Sequence, residues 1–163
     1  MNLNNGFLKR LAYPPKNEKG FTLIELIVSI SIIGILLGLV TINLLNAQHK
    51  TNIATSEELL IADLRSQQIK AMNGINGGGK YGVHFSDPPD NTYTVFQGNS
   101  YASATDKSTV SVDGSITFSG SDILFDSING EVDSAPVTIS IKDTVTGVVK
   151  SLILNKYGVV TGE

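Results

Sequence analysis

The chain has 163 residues, a length that accommodates one domain with additional segments rather than two full domains. It contains no cysteine, which excludes disulfides, thiolate nucleophiles and cysteine-based metal sites. Its formal net charge of −3 is unevenly distributed, because residues 1–20 carry four basic side chains and one acidic, whereas the remainder carries eight basic and fourteen acidic. An acidic remainder argues against a general nucleic-acid-binding protein, whose contact surface is normally basic.

A long apolar segment follows the basic start of the chain. Phe21–Leu45 comprises 25 residues with Glu25 as its only charged side chain, and as a helix it would extend about 37 Å at ~1.5 Å per residue. That length crosses a hydrocarbon core of about 30 Å. The basic flank predicts a single pass through the inner (cytoplasmic) membrane, with a cytoplasmic amino terminus and a periplasmic or extracellular carboxyl-terminal part. Hydropathy alone is also explained by a plain signal anchor, although the segment is too long for a cleavable secretory signal.

Glu25 distinguishes this segment from an ordinary anchor. A lone carboxylate at the centre of a membrane helix costs about 2.5–3.5 kcal/mol on insertion scales, and less near an end, so such residues usually have a partner. The nearest cation in the sequence is Lys19, and cleavage after Gly20 would create a second cation, the new terminal amine. A buried carboxylate and a buried ammonium are each costly alone, which favours their pairing.

The sequence Lys19-Gly-Phe-Thr-Leu-Ile-Glu-Leu-Ile-Val28 resembles the processing motif of type IV prepilins and type II secretion pseudopilins. The resemblance implies that a membrane prepilin peptidase cleaves after Gly20 and methylates the amino group of Phe21. It also implies that Glu25 neutralises the terminal amine of a neighbouring pilin or pseudopilin subunit during assembly. Subunits of this family are moved from the membrane into the filament by an assembly platform that a separate ATPase drives.

The helical pattern continues beyond the apolar segment to Asn73-Gly74, where glycine suits a left-handed cap. Four apolar side chains recur at helical spacing and predict one buried stripe: Ile53, Leu60, Leu64 and Ala71. Polar residues fill the gaps, which predicts an amphipathic helix. Within the apolar half, Gly34-Ile-Leu-Leu-Gly38 fits a small-xxx-small motif for helix packing, although glycine is common in membrane helices generally.

The part of the chain from Gly74 onward predicts a β-rich domain of seven or eight strands. Gly77-Gly78-Gly79 reads as a linker, and alternating apolar residues then mark strands around 81–85, 92–96 and 137–141. Asp113-Gly114 predicts a tight hairpin between 110–112 and 115–118. Further turns are predicted at Asn129-Gly130 and Thr146-Gly147, with a short last strand after Gly158.

These elements together predict an α+β, pilin-like fold in which a long amino-terminal helix packs on a carboxyl-terminal antiparallel β-sheet head. The predicted organisation is a cleaved basic leader, 1–20; a transmembrane and filament-core helix, 21–45; an amphipathic continuation, 46–73; and a β-rich head, 74–163. The helix 60–71 and the strands and turns of 119–160 are similar to those of the H/FimT group of minor pseudopilins. This second resemblance concerns the order of strands and turns and not a chemical signature.

No catalytic, cofactor or metal site is predicted. His49 and His84 are far apart and lack a carboxylate or cysteine at metal-ligand spacing, so they read as surface or strand-face residues. Two oxygen-rich loops, at 87–91 and 126–131, leave calcium as an open alternative, but neither has the spacing of a calcium loop and both are explained as turns.

The predicted function is that of a non-enzymatic structural subunit, cleaved after Gly20 and assembled into a type II secretion pseudopilus or a type IV pilus as a minor subunit in protein secretion. The alternative is a minor pilin of a DNA-uptake or adhesive pilus. DNA binding is disfavoured because residues 74–163 carry five lysines, no arginine and ten acidic side chains. A signal-anchored surface enzyme is a third class, and it predicts that Gly20→Ala changes nothing.

Overall fold

The computed structural model describes residues 20–75 and 79–162. The basic leader up to Lys19, residues Gly77 and Gly78 of the predicted linker, and Glu163 lie outside the described residues. The chain divides into two compact units, with the boundary between Thr41 and Ile42. Of the described residues, the first unit contains the beginning of helix α1 (Leu23–Met72), and the second contains the rest of that helix and eight strands.

Helix α1 begins after Thr22, whose side-chain oxygen accepts a hydrogen bond from the Glu25 N–H at 3.3 Å. Threonine at the cap with glutamate three residues later forms the sequence pattern of a capping box. The helix ends at Met72, and Gly74 adopts φ +60°, as the sequence predicts. The predicted stripe is confirmed, since Ile53, Leu60, Leu64 and Ala71 are all buried.

Within the described residues, the strands form two four-stranded antiparallel sheets. Sheet A has the order β3-β2-β1-β5 and sheet B the order β4-β6-β7-β8. The strand bounds are β1 Tyr81–Phe85, β2 Thr92–Gln97, β3 Asp106–Ser111, β4 Ile116–Ser119, β5 Ile123–Phe125, β6 Val137–Asp143, β7 Val149–Leu154 and β8 Val160–Gly162. The predicted α+β class and the predicted number of strands are therefore confirmed.

The predicted hairpin at Asp113-Gly114 is wrong. The strands on its two sides lie in different sheets, because β3 pairs with β2 whereas β4 pairs with β6. The turn itself is present: Asp113 Oδ1 accepts hydrogen bonds from the Ser115 N–H at 2.9 Å and the Ser115 hydroxyl at 2.6 Å. The turn residues thus change the direction of the chain, and the pairing partners come from elsewhere in the sequence.

One hydrophobic core joins both sheets to the part of helix α1 that follows Leu45, which is called its outer half below. Every second side chain of β6 points into it, namely Val137, Ile139 and Ile141. Tyr93 of sheet A contacts Phe118 of sheet B edge-to-face, with ring centroids 5.1 Å apart. The Tyr93 hydroxyl also donates a 2.7 Å hydrogen bond to Asp63 of helix α1, so this residue links all three layers.

Tyr93→Phe is expected to lower the free energy of unfolding by about 1–3 kcal/mol, because it leaves the half-buried Asp63 carboxylate without its donor. Burial and the bond to Asp63 raise the pKa of the Tyr93 hydroxyl, which keeps it protonated as a donor. The measurement is chemical denaturation of the detergent-solubilised chain. The control is Tyr157→Phe at an exposed site, for which a change within about 0.5 kcal/mol is expected; equal losses in the two variants would contradict this role of Tyr93.

Candidate processing and assembly site

Gly20 and Phe21 precede the first turn of helix α1 and are exposed. Their peptide bond therefore lies outside the helical hydrogen-bond ladder, where a peptidase can reach the backbone. A Cβ built at Gly20 would meet no atom within 4 Å, so the fold of this chain does not require glycine there. If glycine is required at position 20, the requirement must come from another molecule that binds this segment.

Glu25 lies in the first turn of the helix and is exposed. A negative charge at this position interacts favourably with the positive end of the helix dipole, so Glu25 has a local structural role as well as any role in assembly. Over residues 20–75 and 79–162, no cation lies within ion-pair distance of its carboxylate. The structure gives the geometry of this residue, and its pairing with a terminal amine stays a prediction.

The hydroxyl groups of the apolar half are satisfied within the helix. Ser29, Ser31 and Thr41 donate to the carbonyl oxygens four residues earlier, at 2.7, 2.8 and 2.8 Å. Such internal bonds remove the cost of placing a hydroxyl in an apolar environment. The carboxylate of Glu25 differs from these hydroxyl groups because it carries a charge that no cation within the described residues neutralises.

The apolar side chains of this half are exposed and unpacked in the isolated chain. Helix α1 is long and apolar enough to cross a membrane, and no residue of its most apolar 18-residue window is buried. Leu23, Ile24 and Ile35, for example, are each at least 66% exposed. Gly34 and Gly38 are exposed as well, and a Cβ at either would meet no atom within 4 Å. Any need for these glycines must come from a neighbouring helix, which stays a prediction.

The outer half of helix α1 presents polar groups to sheet B that the sequence analysis missed. His49 Nδ1 lies 3.2 Å from Asp143 Oδ2, and Glu57 forms an ion pair with Lys150. Further along, Gln68 Nε2 donates to the backbone oxygens of Gly130 and Tyr157, both at 2.9 Å. The helical spacing could have indicated the contacts of His49 and Glu57, because positions 49, 53 and 57 lie on the helix face that carries the buried apolar stripe.

Both histidines have a carboxylate neighbour in the fold, although neither has one at metal-ligand spacing in the sequence. His49 pairs with Asp143, and His84 Nδ1 lies 2.6 Å from Asp122 Oδ1 while its ring stacks on Tyr101. The partners come from distant parts of the chain, which is why residue spacing did not reveal them. In the part of the chain that the structure describes, no group of three or more His, Asp or Glu side chains is placed to hold a metal ion.

The two oxygen-rich loops use their polar atoms for turns and ion pairs. Asp90 Oδ1 accepts from the Asn91 N–H at 2.7 Å, and Asn129 Oδ1 accepts from the Glu131 N–H at 3.1 Å. Lys156 lies 3.1 Å from Glu131. These contacts account for Asp90, Asn129 and Glu131 as turn and ion-pair residues.

Asp143 is buried, and its carboxylate holds the β6–β7 turn together. Burial alone would raise its pKa, but hydrogen bonds from the N–H groups of Val145 and Thr146 outweigh this and lower the pKa. A carboxyl whose pKa is lower in the folded state contributes stability above its unfolded pKa, near 4, and loses that contribution as the pH falls through the folded value.

Asp143→Asn is accordingly expected to lower the melting temperature at pH 7, and the difference from the original chain should shrink as the pH falls below about 4. Asparagine keeps an oxygen for the turn but cannot carry the charge. Melting curves of the detergent-solubilised chains between pH 7 and pH 3 measure this. A difference that stays constant over the whole range would show that the charge of Asp143 is not what stabilises the turn. Asp87→Asn in an exposed loop serves as the control.

The comparisons with known proteins bear on both halves of the chain. Residues 15–41 match the family model described as the prokaryotic N-terminal methylation motif. The match includes Gly20, Phe21 and Glu25 and ends at Thr41. No curated protein matches the sequence.

Two solved structures share the fold of the larger part of the chain. The type IV minor pilin FimU of Pseudomonas aeruginosa is 16% identical, with a TM-score of 0.53 over 70% of this chain and 90% of that one. The minor pseudopilin EpsH of the Vibrio cholerae type 2 secretion system is 13% identical, with a TM-score of 0.52 over 69% of this chain and 96% of that one. At such identities the likeness establishes the fold. The chain is therefore a pilin-like α+β protein that carries the prokaryotic N-terminal methylation motif at the start of its long helix.

Proposed function

We propose that the chain is a non-enzymatic subunit of a type II secretion pseudopilus or a type IV pilus, cleaved after Gly20, methylated at Phe21 and assembled as a minor subunit. The observation that carries the proposal is the position of the methylation motif. It opens a helix whose apolar half has exposed side chains, so these side chains require a bilayer before assembly and other subunits afterwards.

Assembly replaces lipid with neighbouring helices around the apolar half. Glu25 would then leave its position near the membrane surface and enter a low-dielectric filament core, where an unpaired charge is costly. The terminal amine of Phe21 in an adjacent subunit is the cation that cleavage supplies. Since each subunit contributes one carboxylate and one amine, pairing between neighbours neutralises both and fixes their axial register.

A role as a minor subunit is supported by the resemblance of most of the chain to minor-subunit structures from two filament systems, and a role in protein secretion by the one of them that is part of a type 2 secretion system. Energy for extraction would come from a separate ATPase, since the sequence contains no phosphate-binding loop motif. The head does not favour nucleic acid as a partner, because its acidic side chains outnumber the basic ones.

The proposal is tested by fractionation of cells that produce the chain together with a complete pilus or pseudopilus system. The chain is expected in the membrane fraction when the assembly ATPase is deleted, and in sheared filaments when the ATPase is present. Immunogold labelling of the head should then mark filaments at few positions, as expected for a minor subunit. A chain that stays in the membrane fraction in both strains would contradict the proposal.

A further inference from the structure

The turn between β6 and β7 lies beside the helix close to the end of the apolar segment. Thr146 and Val148 of this turn line a cavity of about 160 Å³ together with His49, Lys50 and Ile53 of helix α1. His49 is four residues beyond Leu45, which is about 6 Å along the helix axis. The headgroup layer outside the hydrocarbon core is about 5–7 Å thick, so His49 and the turn beside it fall at that level when Leu45 lies at the edge of the hydrocarbon core.

Two side-chain contacts fix the direction in which this hairpin points. Lys150 within β7 pairs with Glu57, whereas Asp143 at the end of β6 contacts His49. His49 precedes Glu57 by eight residues, or about 12 Å of helix. The hairpin therefore runs along the outer half of helix α1 with its tip towards Leu45.

Apolar side chains are exposed at the tip, and its backbone N–H groups have hydrogen-bond acceptors within the turn. Val145 is 67% exposed, and Val148 and Val149 are about half exposed. Each N–H group from residue 145 to residue 148 has an acceptor within the turn: Asp143 Oδ1 for Val145 and Thr146, the Asp143 carbonyl for Gly147, and Thr146 Oγ1 for Val148. A surface with bonded N–H groups and protruding valines can enter an apolar environment without leaving these donors unpaired.

The charges around the tip suit an anionic lipid surface. Lys50 and Lys142 are exposed at this end of the head, and lysines near a membrane surface are attracted to anionic lipid headgroups. Asp143 is buried, and its Oδ1 accepts hydrogen bonds from the turn N–H groups of Val145 and Thr146. The exposed carboxylate nearby, Asp113, is engaged by two hydrogen bonds from Ser115.

We propose that the β6–β7 tip, residues 144–148, is a lipid-contacting surface that rests in the headgroup layer while the chain waits in the membrane. This inference depends on the membrane-inserted precursor proposed above. Because the contact gives the head a second attachment beside the helix, it fixes the orientation of the head before assembly. It must also be broken when the subunit is extracted, which adds to the work of the assembly platform.

Because the chain contains no cysteine, a single introduced cysteine can be labelled specifically. Single-cysteine variants Val145→Cys, Val159→Cys and Leu36→Cys of the full chain carry an environment-sensitive fluorophore, with one copy per nanodisc of mixed zwitterionic and anionic lipid. Nitroxide-labelled lipids then quench probes that lie in the bilayer. Val159 is the matched control, because it is 54% exposed but lies beside Gln68, 23 residues beyond Leu45 on the helix.

The Val145 probe is expected to show blue-shifted emission and several-fold stronger quenching than the Val159 probe, and Val148→Ser should reduce its quenching. Equal emission and quenching at Val145 and Val159, with a quenched Leu36 probe, would overturn the lipid contact and leave membrane insertion intact. An unquenched Leu36 probe would instead contradict the proposed function. A shift at Val145 that arises only with two copies per disc would also overturn the inference, since the tip would then bind a neighbouring copy.

Discussion

Cells that contain prepilin peptidase should accumulate a full-length, unmethylated chain when Gly20 is replaced by valine. A side chain at Gly20 meets nothing within this protein, so any block to processing arises in the peptidase, where the backbone must approach closely. Processing is expected to slow by at least about tenfold, which corresponds to roughly 1.4 kcal/mol in the barrier. The measurement is the ratio of uncleaved to cleaved chain in membranes after a pulse of synthesis.

The matched control is Gly6→Val, which places the same substitution within the proposed leader but away from the cleavage point. This variant should be processed at the normal rate. If Gly20→Val were cleaved as fast as Gly6→Val, the Gly20–Phe21 bond would not be the processing site. An anchored surface enzyme, the third class considered from the sequence, makes that same prediction of no effect.

Replacing Glu25 by glutamine should leave processing intact and remove the subunit from filaments. Glutamine is found at the same position of a capping box, so the start of helix α1 is preserved while the charge is lost. The terminal amine of the neighbouring subunit then stays without a partner in an apolar core. Breaking one side of a buried pair costs about 3–5 kcal/mol, so incorporation is expected to fall by at least about a hundredfold.

The amount of chain in sheared filaments, relative to the amount in membranes, measures this effect. Glu58→Gln is the control, because Glu58 is an exposed glutamate on the same helix beyond the apolar segment. It should assemble normally. Normal incorporation of the Glu25→Gln subunit would show that its charge is dispensable, and the axial-register role proposed for Glu25 would then be wrong.

Local periodicity was sufficient to predict the helix and its buried face. Ile53, Leu60, Leu64 and Ala71 recur with the helical period, and all four are buried, because burial of one face is what that period encodes. Alternation likewise predicted β1, β2 and β6. The methylation motif was equally visible, since its residues are contiguous in the chain and require no knowledge of the tertiary structure.

Pairing between distant segments could not be predicted in the same way. Asp113-Gly114 has the residue types of a tight hairpin turn, yet β3 and β4 belong to different sheets. The choice of strand partners depends on how both sheets pack around the helix. Glu57 and Lys150 form an ion pair although they are 93 positions apart in the sequence. Residue types and local spacing do not contain the long-range register that brings such a pair together.

The intact mass of the protein shows whether this chain is a prepilin-type precursor. Cells with prepilin peptidase should yield a chain that lacks residues 1–20 and carries one methyl group on Phe21, whereas cells without the peptidase should yield a chain that retains residues 1–20 and carries no methyl group. An identical, unprocessed mass from both strains would contradict the claim and leave Phe21–Leu45 as a plain membrane anchor.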